Sequence, residues 1–377
     1  MLKILLIPEF SLYGGTYTFF KDLLDFYSSL HYGVTVLLKK GQINDEVKSI
    51  LNEYGYKYFL LPEESSFYKK LRPRFILYLI YVFCKTLPLY LKIRPDITVV
   101  STGTPVNLLS LILFPSRFLY ILHTYPSLSR ANLFARILTR FKLSKKRRII
   151  TVSEYSKNEI VKFWNLQKKK EWVNVTYNTI RGKDKSLKIQ EEGKDKTNKV
   201  LKILTIGHVR WYKNPLMWID VAEIVSKKTG KDNVEFLWLG DGELLEECNR
   251  KVKSINLNNT FFKGRVNNTS EFIKESGIYF QPSLIESFGI CVLEAMSMGK
   301  PCVVSNSGGL PEVVQDNKTG FVVDNGSKEV MAEKIIELIE NPELCYSMGE
   351  SGKIRFNDYF SYRIWKEKME KIHNSLF

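Results

Sequence analysis

Residues 201–239, LKILTIGHVRWYKNPLMWIDVAEIVSKKTGKDNVEFLWL, hold one full turn of an alternating pattern. Leu201–Ile206 is a short apolar, β-branched run and reads as a strand. Pro215–Lys228 reads as a helix, and Val234–Leu239 as a second strand. Strands alternating with helices of about 10–15 residues imply a parallel, doubly wound sheet. Downstream the pattern continues with a helix over Glu243–Ser254 and strands at Thr260–Lys263, Ile278–Gln281 and Pro301–Ser305. It closes on an amphipathic helix, Tyr362–Ile372. Upstream lies RGKDKSLKIQEEGKDKTNK, residues 181–199, charged and poor in apolar residues, which reads as a linker.

Before that linker the alternation appears a first time. Leu2–Ile7 is a strand, Gly14-Gly15 a turn, Tyr17–Leu30 a helix and Val34–Leu38 a strand. Leu71–Ile93 is a helix ending near Arg94-Pro95, and Asp96–Ser101, Phe118–His123 and Arg148–Ser153 are further strands. A chain of 377 residues exceeds what one hydrophobic core supports, so two domains are expected. The fold class is therefore α/β, with two Rossmann-like doubly wound domains facing across a cleft. The first covers 1–180, the second 200–358, and residues 359–377 form a terminal helix. Ligands bind beyond the carboxyl ends of such strands, so function belongs on the loops that follow them.

Composition narrows the partners. Lys and Arg number 56 against 40 Asp and Glu, and the resulting +16 implies an anionic partner. Basic residues occur in both halves, with short clusters at Lys145–Arg148 and Lys168–Lys170, and no nucleic-acid recognition fold accompanies them. Nucleic acid is therefore set aside in favour of an anionic membrane surface. The segment Phe67–Arg94 mixes Phe, Tyr and Leu with seven Lys or Arg and no acid, which suits a helix lying among lipid headgroups. Its apolar face packing on the first sheet is the competing account. The longest apolar stretch, Phe75–Cys84, falls short of the roughly 20 residues that span a bilayer. Five scattered cysteines and four histidines suggest neither a disulfide framework nor a zinc site. MLKILLIPEF has the look of a strand and not of a signal peptide, so a cytoplasmic location is expected, peripheral on the inner face of the membrane.

The densest chemical signal is QPSLIESFGICVLEAMSMG, residues 281–299. A strand runs into Pro282-Ser283, Glu286 sits on the loop, Gly289 permits close backbone approach, and a helix begins with Glu294 in its early turns. Free N–H groups at a helix start suit a pyrophosphate, and carboxylates on either side suit hydroxyl-rich groups. Both glutamates also favour a helix N-terminus through its dipole, whatever the function.

ESFGICVLEAMSMGKP, with Glu286 and Glu294 eight positions apart, resembles the paired-glutamate motif of the group 1 (family 4) glycosyltransferases of GT-B fold. GGLPEVV at 308–314, TGFVV at 319–323, GDGELLEE at 240–247 and VSEYSK at 152–157 fit the same family in the same order. The resemblance is strongest over Val200–Phe360. It implies that Glu286 contacts the donor sugar and that Glu294 binds the ribose hydroxyls of the nucleotide. Backbone amides at Phe288, Gly289 and Ile290 would cradle the pyrophosphate. In GHVRWYKN, residues 207–214, Lys213 matches the phosphate-binding lysine. The arginine usual after the glycine is replaced by His208, with Arg210 two places on as a donor-side candidate. His123 matches a histidine that contacts the transferred sugar. The Gly14-Gly15 turn would lie between the substrates, Gly15 toward the donor and Gly14 and Thr16 toward the acceptor. Asn178 matches an asparagine near the interdomain crossing, though Thr179 follows it in place of glycine, and Gly277 replaces a common aspartate. The terminal helix would cross back to the first domain.

The resemblance implies retention of anomeric configuration, with no cofactor and no metal. The acceptor, a sugar or a lipid-linked sugar, would attack the front face as the sugar–phosphate bond breaks, in making cell-surface polysaccharide or glycolipid. Lys213 would take up charge on the leaving diphosphate. Two other readings compete. A nicotinamide dehydrogenase needs G-x-G-x-x-G, and neither GGTYTF nor GDGELL supplies it. A nucleotide-sugar-binding protein without turnover would keep the fold but not require Glu286, Glu294 and Lys213 together.

Overall fold

The structure, a computed structural model, describes residues 1–11, 14–61, 74–104, 108–126, 131–180 and 200–377. The chain forms two compact units, one of Met1–Asn178 with Trp365–Phe377, the other of Thr179–Ile364.

The first unit contains β1 (Lys3–Pro8), α1 (Gly15–Ser29), β2 (Gly33–Lys39), α2 (Asp45–Glu53), β3 (Lys57–Leu61), α3 (Arg74–Ile93), β4 (Ile97–Thr102), β5 (Arg117–Leu122), α4 (Ala131–Lys142), β6 (Arg147–Thr151), α5 (Glu154–Phe163) and β7 (Val173–Val175). Its seven strands lie in the order β3-β2-β1-β4-β5-β6-β7, all parallel. Ile4 pairs with Val34 on one side and with Ile97 on the other. Central parallel strands are covered on both faces, which is why Ile4–Ile7 and Ile97–Thr102 are buried without alternation. The chain winds outward from β1 to β3, returns to β4, and winds the other way. Right-handed crossovers then place α1 and α2 on one face and α3 and α4 on the other. Side-chain caps fix two helix starts: Asn44 accepts from the Val47 amide at 2.8 Å, and Ser153 accepts from that of Ser156 at 3.0 Å.

The second unit contains β8 (Leu201–Ile206), α6 (Pro215–Thr229), β9 (Val234–Leu239), α7 (Leu245–Ser254), β10 (Thr260–Phe262), α8 (Thr269–Glu275), β11 (Ile278–Gln281), α9 (Ile290–Ser297), β12 (Cys302–Ser305), α10 (Leu310–Val313), β13 (Gly320–Val323), α11 (Lys328–Glu340) and α12 (Pro342–Tyr359). Its parallel order is β10-β9-β8-β11-β12-β13. Under it Trp218 meets Trp238 and Phe236 edge-on at 5.3 and 5.7 Å. Both indoles are satisfied, Trp218 Nε1 donating to Thr205 Oγ1 at 2.7 Å and Trp238 Nε1 to the Gly207 carbonyl at 2.8 Å.

The last helix, α13 (Tyr362–Asn374), begins in the second unit, and from Trp365 onward the chain belongs to the first. Trp365 packs edge-on against Phe19 and Phe26 of α1, each at 5.7 Å. The chain end is tied to the sheet as well: Arg117 donates to the Leu376 carbonyl and Arg148 to that of Ser375, both at 3.2 Å.

The expected strands and helices are present with ends displaced by a few residues. The sequence reading did not find β3, β7 and β13, short strands at sheet margins, nor α2, α4, α5, α8, α10, α11 and α12. The charged segment 181–199, and residues 67–73 of the basic segment, lie outside the described residues. Among the described residues no helix is long and apolar enough to cross a membrane.

Candidate active site

In the second unit β8, β11 and β12 are neighbours, so the loops at their carboxyl ends converge. After β8 the chain passes Gly207–Arg210 and makes a 3-10 turn over Trp211–Lys213. After β11 it passes Pro282–Gly289 into α9. After β12 it passes Asn306–Gly309 into α10.

Three sets of bonds lock these loops together. The Leu284 and Ile285 amides both donate to the Tyr212 carbonyl, at 2.8 and 3.2 Å. Ser307 Oγ donates to the Leu284 carbonyl at 2.7 Å, and the Gly309 amide to the Glu286 carbonyl at 3.0 Å. Gly308 makes the last contact feasible, because it sits at φ 57° and a Cβ there would lie 1.7 Å from the Glu286 carbonyl oxygen. Gly289 precedes α9 at φ 99°, and a Cβ on it would meet Leu310 Cδ2 at 2.7 Å.

Glu286 is thus held by its backbone and also by its carboxylate. Lys213 Nζ forms an ion pair with Glu286 Oε2, and Gln281 Nε2 donates to the same oxygen at 2.9 Å. Gln281 is in turn oriented by Tyr279, whose hydroxyl donates to Gln281 Oε1 at 3.0 Å. The two charged side chains are each 16% exposed, so the pair is largely withdrawn from water without being sealed from it. Burial works against the Lys213 ammonium, but the charge and hydrogen bond of Glu286 outweigh it and its pKa stands above the ordinary value. Lys213 is a cation at any working pH.

Cys291, in the first turn of α9, lies among these charges. Burial first, then Glu294 and Glu286, push its thiol up to about 12, while Lys213 pulls the other way. It is a neutral thiol, and its surroundings place Glu294, Glu286 and Lys213 in one neighbourhood. Arg210 is exposed just before the 3-10 turn, and the His208 ring lies 3.7 Å from the Asp241 carboxylate. Phe288 is buried, and Ile290 is the first residue of α9. Gly277 packs so closely that a Cβ would meet Leu201 Cδ1 at 2.3 Å, which suits glycine better than the aspartate common in the family.

In the first unit His123 follows β5. It is 8% exposed, bonded to Ser101 Oγ through Nε2 at 2.9 Å, and flanked edge-on by Phe19 at 4.6 Å. Burial lowers its pKa to about 4, so it is neutral and offers one N–H and one lone pair. Gly14, exposed at φ 91°, accepts from the Tyr17 amide at 3.1 Å, while Gly15 and Thr16 open α1 half-buried. Asn178 is buried at the end of this unit, and Thr179 at the start of the other.

Sequence reasoning did not single out Tyr279, Gln281 or Cys291 as site residues, nor a polar cluster where β1, β2 and β4 end. There Glu9 pairs with Lys39 at 2.6 Å and accepts from Thr102 Oγ1, while Lys39 is joined through its backbone amide to Gln42 Oε1 at 2.9 Å. Their common position after parallel strands was the one signal that could have found them.

Residues 184–355 match the family described as Glycosyl transferases group 1. A 135-residue stretch, 36% of the chain, is 32% identical to N-acetyl-alpha-D-glucosaminyl L-malate synthase of Bacillus anthracis and spans about a third (35%) of that relative. Among solved structures, a glycosyltransferase from Rickettsia africae superposes with a TM-score of 0.76 at 18% identity, covering 100% of this chain and 98% of the other. Anabaena HepE, solved in complex with UDP and glucose, superposes at 0.72 with 17% identity over 100% of both chains. The fold is GT-B, two Rossmann-like parallel-sheet domains.

Proposed function

We propose that this chain, whose residues 184–355 match the family of group 1 glycosyl transferases, is a member of that family and moves a sugar from a nucleotide-sugar donor to an acceptor, with retention and without a metal. The observation that carries the reading is the Lys213–Glu286 pair, largely withdrawn from water beside the start of α9.

In this reading the donor diphosphate takes the place of the Glu286 carboxylate on Lys213. Its oxygens receive the ammonium and the amides that open α9, and the freed carboxylate turns to the sugar hydroxyls. Glu294 holds the ribose. As the anomeric carbon–oxygen bond breaks, the electron pair passes to the phosphate oxygen, where Lys213 and the helix amides stabilise it. The acceptor oxygen bonds to the anomeric carbon on the face the diphosphate leaves, and its proton goes to the departing phosphate oxygen. Neutral His123 serves the transferred sugar as a hydrogen-bonding group, and Gly15 and Arg210 serve the donor phosphates. Glu286 orients and forms no covalent intermediate. The acceptor is a sugar or lipid-linked sugar of cell-surface polysaccharide or glycolipid synthesis.

The test is nucleoside diphosphate release from a panel of donors with and without acceptors, with UDP-sugars first because HepE was solved with UDP and glucose. Acceptor-dependent release with the product's anomeric configuration matching the donor's is the expected result. Saturable donor binding without release across the panel would make the chain a binding protein, and an inverted product would remove the retaining mechanism.

A further inference from the structure

The net positive charge of this protein is concentrated in one stretch. Residues 65–153 hold sixteen Lys or Arg against one acid, Asp96, and the rest of the chain holds 40 against 39. Almost the whole excess of +16 therefore comes from one stretch of the first unit, although basic residues occur in both halves. From Ile97 to Ser153 there is no Asp or Glu at all.

This stretch builds α3 and α4, which share one face of the first sheet and both pack against the 3-10 segment Leu109–Leu113. Each helix carries apolar residues on its outer side. On α3 the inner stripe Leu79, Val82, Thr86 and Tyr90 is buried, as a helix packed on a sheet requires. A second stripe, Leu77, Ile80, Cys84, Pro88 and Leu91, recurs at three- and four-residue steps and is exposed throughout. On α4, Leu133, Ile137 and Phe141 stand four apart and are 54%, 49% and 78% exposed. Exposed Arg136, Arg140 and Lys142 stand beside them, as Lys85 and Lys92 do on α3. Single exposed apolar residues are ordinary, but two stripes on adjacent helices leave apolar surface that water does not favour.

We propose that the outer face of α3 and α4 is a docking surface for an anionic lipid bilayer, with Leu133, Ile137 and Phe141 entering the headgroup–acyl boundary and Arg136, Arg140 and Lys142 meeting lipid phosphates. Charge complementarity selects this occupant. A protein partner could cover the apolar stripes, but it would need many acids to meet a surface that offers none of its own. A nucleic acid would meet the charge, yet would leave Leu133, Ile137 and Phe141 in water. A bilayer with anionic headgroups satisfies both. The proposal does not rest on the glycosyl-transfer reading, and it places the docking helix α4 beyond the Phe67–Arg94 segment singled out by sequence.

The test is flotation of the full chain with vesicles of phosphatidylcholine alone and of phosphatidylcholine mixed with phosphatidylglycerol, at low and at high salt. The expected result is partition onto the mixed vesicles that salt weakens. Each basic residue near the surface contributes roughly five-fold in partition, so Arg136→Gln/Arg140→Gln lowers it roughly 25-fold. Phe141→Ser, at an exposed position where folding is not at risk, lowers binding to the same vesicles while leaving thermal stability unchanged. Equal partition on neutral and anionic vesicles, or wild-type binding by both variants, overturns the proposal. So does a concentration-dependent dimer, seen by light scattering, that Phe141→Ser dissociates, because the face would then bind a second copy of the chain.

Discussion

Replacing Lys213 by methionine separates what the ion pair does for the fold from what it does for turnover. The substitution keeps the length of the side chain and removes its charge. Glu286 is then left with Gln281 as its remaining described side-chain partner, in surroundings where both members of the pair are 16% exposed. Breaking a fully buried pair costs about 3–5 kcal/mol, and partial exposure brings this one to about 2 kcal/mol. In a unit of this size that is a fall in Tm of about 4–8 °C. The loss in turnover is larger. Removing one fixed group that stabilises transition-state charge costs about a hundred- to a thousand-fold in kcat. The assays are differential scanning calorimetry and donor turnover, run on Lys213→Met and on Lys213→Met/Glu286→Gln. The double variant has no uncompensated charge, so its stability should return to within about 1 kcal/mol of wild type while its turnover stays low. If Lys213→Met keeps kcat within about five-fold of wild type while folded, the diphosphate role is wrong. If the double variant recovers activity along with stability, neither charge is needed for turnover and the pair serves only the fold.

Three further outcomes are expected, the first from the proposed roles of Glu286 and Glu294 and the other two from the geometry. Glu294→Ala should weaken donor binding by roughly 10- to 100-fold, and the loss should vanish with a donor lacking the bonded ribose hydroxyl, whereas Glu286→Ala should lower kcat with either donor. Persistence of the full Glu294→Ala defect against both 2′- and 3′-deoxyribose donors would rule out the ribose assignment. His373, fully buried among Phe26, Tyr27, Tyr32 and Phe377, has its pKa lowered by burial to about 4. The unfolded chain takes that proton near pH 6.5, so stability is full above 6.5 and declines toward pH 4 by about 3 kcal/mol. Chemical denaturation across that window should show His373→Leu with a flatter slope, and an unchanged slope would contradict the account. Gly308→Ala should abolish donor turnover and lower Tm measurably, because its Cβ cannot coexist with the Glu286 carbonyl 1.7 Å away. A fully active alanine variant would show that the loop need not approach so closely.

The sequence by itself determined what depends on local periodicity and composition. The largely apolar runs at Leu201–Ile206, Val234–Leu239 and Ile278–Gln281 are strands with those very ends, because interior parallel strands are covered on both faces and so are mostly apolar. Edge strands face less burial, so Lys57–Leu61 and Val173–Val175 carried no comparable pattern and were not foreseen. The motif around Glu286 and Glu294 was legible because nine consecutive residues of loop and helix carry it. What the sequence alone left open was decided by strand order. Placing β8 beside β11 brings Lys213 to Glu286 across 73 positions, and placing β12 beside β11 sets Gly308 and Gly309 under the Glu286 carbonyl. The same holds for Glu9, Lys39 and Thr102, which meet only because β1 lies between β2 and β4. Helix packing likewise decided which apolar stripe of α3 is covered and which faces outward, since both stripes share one periodicity and only the neighbouring sheet distinguishes them.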